Sequence, residues 1–98
     1  MLNLWVKLIK DNKLIDQYLS PVEETDTEQM LTDGLNAACY ALDLARPIVQ
    51  QKHLQDMAQY GFTRFLPESF MEEVAFDKME VRIFDDSPKK KKQPRYYD

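Results

Sequence analysis

Several things are scarce in this chain, and each scarcity removes a class of function. There is one cysteine, Cys39. That excludes an internal disulfide and a cysteine-based zinc site. There are two glycines, Gly34 and Gly61. Without a glycine-rich loop, backbone amides have no cradle for a nucleotide phosphate. The single histidine, His53, rules out an H-x-x-x-H metal pair, and no serine-centred nucleophile elbow is present. The apolar residues at the N-terminus (Leu2, Leu4, Trp5, Val6, Leu8 and Ile9) are interrupted by Lys7. That run is too short for a signal peptide or a membrane span. The expectation is a soluble, cytoplasmic protein with no cofactor and no membrane association.

What is present fits one small domain. Ninety-eight residues can bury one modest core. The formal net charge is −4. It hides an asymmetry, because 87–98 holds Lys89, Lys90, Lys91, Lys92 and Arg95 against Asp98 alone. The division expected is a single α+β domain over 1–86, strongly acidic, and a basic, disordered tail over 87–98.

Residues 2–9 alternate, with Leu2, Leu4, Val6 and Leu8 on one face and Trp5, Lys7 and Ile9 on the other. Period two with branched and aromatic residues predicts a strand. Lys10 to Lys13 is a polar break whose Asp11 and Asn12 tolerate positive φ, which suits a tight hairpin. Leu14 to Leu19 is the returning strand, ended by Ser20-Pro21. Thr25 and Glu28 have capping-box spacing, with Thr25 as N-cap. Leu31, Leu35, Ala38, Leu42 and Ala45 then recur at intervals of three and four, predicting a helix over about 26–45 that Pro47 stops. A shorter helix over about 52–60 turns Leu54, Met57 and Ala58 inward and ends at Gly61, which takes the left-handed position after it. Pro67 opens a further turn, with Phe70 and Met71 packing inward. Residues 78–85 alternate again, with Met79, Val81 and Ile83 on the buried face. The fold expected is α+β: a three-stranded antiparallel sheet, built from the hairpin and the C-terminal strand, with one long helix on one face in ββα(α)β order.

The segment 46–76 gathers rigid, cationic and aromatic residues. The pattern Arg46-Pro47, Lys52-His53, Thr63-Arg64-Phe65-x-Pro67-x-x-Phe70, Val74-x-Phe76-Asp77 and Glu80 resembles one seen in small bacterial proteins of unassigned function. The resemblance implies no activity, ligand or catalytic residue.

His53 is the only side chain suited to proton transfer near neutral pH, with Asp56 one helical turn on. The plain alternative is a surface histidine beside an aspartate. Cys39, in mid-helix among Ala and Leu, reads as a small buried residue. Arg46 and Arg64 are either forks for an anion or internal ion pairs to Asp43, Glu68, Glu72 or Asp77. Of the aromatics, Phe65 and Phe70 are expected inside and Tyr60 or Phe62 at the surface. Trp5 with Ile9 and Phe84 becomes exposed if no helix covers its side of the sheet, which would suggest a homodimer.

Three functions follow as expectations. The first is a non-enzymatic module binding an unknown protein partner through Arg46, His53, Tyr60, Phe62 and Arg64. The second is weak nucleic-acid association through Lys89 to Lys92 and Arg95. The third is a small enzyme with His53 as acid–base and an arginine as anion clamp.

Overall fold

The structure is a computed structural model and describes residues 2–85. The basic segment 87–98 and its lysines therefore lie outside the described residues.

Strand β1 (Leu2–Lys10) pairs antiparallel with β2 (Lys13–Pro21). The turn between them places Asp11 and Asn12 at φ 53° and 64°, as a two-residue hairpin of matching twist requires. Helix α1 (Thr27–Leu42), helix α2 (Gln51–Tyr60), strand β3 (Phe62–Phe65) and strand β4 (Lys78–Asp85) follow. The sheet order is β2-β1-β4-β3, antiparallel throughout. The first strand is thus flanked by its hairpin partner and the C-terminal strand. The sheet nevertheless has four strands rather than three, and two helices accompany it rather than a single long one.

The fourth strand, β3, is an edge of four residues that turns Thr63 and Phe65 inward. Its alternation is too brief to stand out in the sequence. Gly61, at φ 68°, both caps α2 and turns the chain directly into β3, and its carbonyl accepts from Ile83 N–H at 2.9 Å.

Helix α1 differs from expectation at both ends. Its N-cap is Asp26, not Thr25, and Asp26 Oδ1 accepts from Gln29 N–H at 2.8 Å. At its C-terminus Asp43 adopts the left-handed conformation, φ 60°. The Asp43 and Leu44 amides turn back to the carbonyls of Tyr40 and Cys39, so the helix closes four residues before Pro47.

Both helices pack on the face of the sheet that carries Leu4, Val6, Leu8, Met79 and Val81. These join Leu31, Leu35, Ala38, Cys39, Met57, Phe65, Phe70 and Phe76 in one core. Gly34 permits the closest approach: a Cβ there would lie 2.3 Å from Leu4 Cδ2 and 2.8 Å from Leu4 Cβ. Phe70 is inside, resting edge-on against Phe76, whereas Met71 points outward, 82% exposed, because the 3-10 turn Pro67–Ser69 ends at Phe70.

Candidate functional site: the uncovered face of the sheet

With both helices on one side, the other face of the sheet is left open. Register places Leu19, Trp5, Arg82 and Phe62 in one row across the four strands. The next row is Gln17, Lys7, Glu80 and Arg64, and Lys78 stands beyond it, opposite Ile9. Asn3 and Phe84 precede the first row. Among the described residues no element lies over this face, and of these side chains only Asn3 is buried.

The face is held by its own contacts. Trp5 Nε1–H donates to Gln17 Oε1 at 2.9 Å, and its ring meets Phe84 edge-on, centroids 5.8 Å apart. Lys7 Nζ stands 4.7 Å from the centre of the Trp5 ring, and the Arg82 guanidinium 5.0 Å from that of Phe62. Glu80 approaches Lys7 at 3.8 Å and Lys78 at 3.5 Å. An apolar depression of about 410 Å³ lies between Trp5, Gln17, Tyr18, Leu19 and Phe84. It borders β2, an unpaired edge whose Leu14, Ile15 and Leu19 are 43–48% exposed. Lys13 and Pro21 at the two ends of β2, and the irregularity opposite Leu8 and Ile9, are features that discourage further strand pairing.

The charge on this face is opposite to that of the rest. Lys7, Arg64, Lys78 and Arg82 are on it by register, with Glu80 as the one carboxylate. The remaining described residues hold four cations (Lys10, Lys13, Arg46 and Lys52) against fourteen carboxylates.

The residues singled out in segment 46–76 are distributed over several places. Phe62 and Arg64 belong to the open face. Tyr60 is exposed on the last turn of α2. Arg46 donates from Nη1 to Asn36 Oδ1 at 2.6 Å, so it ties the 43–50 loop to α1 through an amide, not through the carboxylates expected. Ile48 N–H donates to Ser69 O at 2.7 Å and closes the same loop from the other side.

His53 is 2% exposed, a core residue and not a surface one. Its Nδ1 accepts from Gln50 N–H at 2.9 Å, capping α2, and its ring lies 4.2 Å from that of Phe65. His53, not Ala58, is thus the inward partner of Met57, and Ala58 is exposed. Burial pushes the His53 pKa down, Lys52 adds to this and Asp56 opposes it. An acceptor at Nδ1 in a neutral ring leaves the proton on Nε2. Asp56 itself accepts from Thr63 Oγ1 at 3.0 Å, joining α2 to β3.

A small cleft of about 220 Å³ is bordered by His53, Lys52, Asp56, Arg64 and Glu68. Arg46 borders a different one, with Thr32, Asn36 and Val49. His53 and Arg64 therefore border one cleft, and Arg46 stands apart from it. Burial raises the Cys39 pKa, against a smaller opposing effect of Arg46, so the thiol is held in its unreactive form. Among the described residues no three His, Cys, Asp or Glu side chains gather as a metal site, and no helix is long and apolar enough to cross a membrane.

Comparison with protein-family models, with curated proteins and with solved structures finds no match.

Proposed function

We propose that this chain is a small non-enzymatic binding module whose working surface is the open face of the sheet, and that its partner is a polyanion. The observation that carries the reading is the reversal of charge. Half of the cations of residues 2–85 share a face with one carboxylate, while the other described residues hold four cations against fourteen carboxylates. Such segregation focuses a positive potential that random placement on an acidic body would cancel. Phe62 and Arg64, expected from the sequence to bind a partner, are part of this surface. Tyr60 and Arg46 are not, and His53 is occupied in capping.

The test is retention on immobilised polyphosphate, using a full-length chain with Lys89 to Lys92 changed to Gln so that the tail contributes little. Retention is expected despite the acidic net charge, and Arg64→Glu or Arg82→Glu should elute at clearly lower salt. Lys13→Glu, beside the hairpin turn and off the face, serves as the control. Failure of the parent to be retained, or an equal effect of the control, would refute the reading.

A further inference from the structure

We infer that the polyanion is a single-stranded nucleic acid, held by phosphate contacts to the cations and by bases stacked at Trp5 and Phe62. The inference rests on the binding-module reading above and narrows it.

Cations alone would suit any polyanion. This face instead interleaves them with rings: Trp5, Arg82 and Phe62 are consecutive across β1, β4 and β3, with Lys7 and Arg64 beside them in the next row. Alternating ring and cation suits a strand whose bases and phosphates both need partners.

Spacing selects single strands over duplex. Trp5 and Phe62 are separated by two strand steps, about 10 Å at roughly 4.8 Å each. Bases in a duplex rise by only about 3.4 Å, so two rings this far apart cannot stack on neighbouring bases of a regular helix. An extended strand with splayed bases can reach both. The 410 Å³ depression beside Trp5, walled by Leu19 and Phe84, offers an apolar recess for a base at one end of the row.

The rings are not free at rest, since Lys7 covers Trp5 and Arg82 covers Phe62. The exchange still favours the ligand. An exposed cation–π contact is worth about 2- to 5-fold in an equilibrium. A stacked base is worth about 5- to 150-fold, and the displaced cation moves outward to a phosphate. Arg82 can also remain over Phe62 and offer the outer plane of its guanidinium for a base to stack on.

Trp5 is the only tryptophan, so its fluorescence reports this face and no other. The experiment titrates full-length protein with a twelve-nucleotide oligothymidylate, with the abasic strand of equal length, and with a duplex. It is repeated on Phe62→Leu, on Arg64→Gln and on the chain with Lys89 to Lys92 changed to Gln. Thermal melts confirm that each variant is folded. The expected result is binding of the oligothymidylate with quenching of Trp5, at least 5-fold weaker binding of the abasic strand and the duplex, and at least 5-fold loss in Phe62→Leu for the base-bearing strand only. Arg64→Gln should lower the salt slope by about one and weaken all strands alike.

Equal binding of the abasic and base-bearing strands without quenching would overturn the inference and leave the polyanion reading standing. No binding of either strand would overturn both. Binding abolished by the tail substitutions but indifferent to Phe62 and Arg64 would move the contact off the sheet and overturn the inference. So would a dimer, seen by sedimentation, that shields Trp5 from the strand.

Discussion

Gly34→Ala sets two well-known tendencies against each other. In a solvated helix the change is stabilising by about 1 kcal/mol, because glycine has more backbone freedom to lose. Here the added methyl would sit 2.3 Å from Leu4 Cδ2 and 2.8 Å from Leu4 Cβ. The Cδ2 atom can be moved by a rotamer change, but the Cβ atom cannot leave without the strand. Leu4 is fully buried in β1, which is paired on both sides. The helix must therefore lift or tilt, and overpacking of this kind costs about 1–3 kcal/mol. Subtracting the propensity gain leaves a net loss of about 1 kcal/mol, or roughly 4–8 °C in Tm for a domain of this size. Urea melts followed by Trp5 fluorescence and by circular dichroism measure it. Leu4→Ala alone should cost about 2–5 kcal/mol. In that background Gly34→Ala should cost less than it does in the parent, because two of the three close atoms are gone; a coupling of about 0.5 kcal/mol or more is expected. A gain in stability from Gly34→Ala in the parent would refute the close contact between α1 and β1.

Three further outcomes follow from named groups. Ser20 is fully buried and its hydroxyl has no hydrogen-bond partner among the described residues, so Ser20→Ala should raise stability by about 1 kcal/mol in urea melts, where a loss would mean that the hydroxyl is satisfied. Asp43 is held at φ 60°, so Asp43→Gly should also stabilise, by about 0.5–1 kcal/mol, with an unchanged or lower Tm counting against the left-handed cap. His53 has its pKa lowered in the folded state, so the unfolded chain binds the proton more readily, and stability should be full above about pH 6.5 and fall as pH drops below it. His53→Asn should flatten that slope between pH 7.5 and 5.5, and an equal slope in both proteins would place the titration elsewhere.

The parts of the fold that the sequence announces are those with long, unambiguous periods. Strands β1 and β4 alternate over eight or nine residues, and α1 repeats its apolar stripe over four turns, so burial and local preference agree. Strand β3 has four residues, with an aromatic at each end, and only its pairing with β4 makes it a strand. His53 was legible as a titratable group but not as a core residue, because its inward turn depends on capping Gln50 N–H. The open face was legible only in part. The polar side of β4 shows in Lys78, Glu80 and Arg82. The charge reversal does not show, because Lys7, Arg64 and the β4 residues are far apart in sequence and become one surface through strand register. The grouping of Arg46, His53, Tyr60, Phe62 and Arg64 reflects proximity along the chain, which α2 and the edge strand then separate in space.

Glu80 is the residue on which the reading of that surface can be pressed hardest. It is the single carboxylate among four cations and approaches two of them, Lys7 at 3.8 Å and Lys78 at 3.5 Å. If the cations exist to hold Glu80, the face is a closed ion-pair network and needs no ligand. If they exist for a phosphate, Glu80 is a competitor that keeps the lysines in place until the ligand arrives. The two views predict opposite signs for Glu80→Gln. Partly exposed pairs of this kind are worth about 0.2–1 kcal/mol each, so with two pairs lost folding stability should fall by no more than about 2 kcal/mol in either case. Under the ligand view both lysines are released and a repulsive charge is removed, so affinity for oligothymidylate should rise by about 3- to 10-fold, with one tenfold step per 1.4 kcal/mol. The salt dependence should steepen as well, because more phosphates are then neutralised. Weaker binding in Glu80→Gln would mean that the carboxylate organises the surface, and the polyanion reading would fail at its centre.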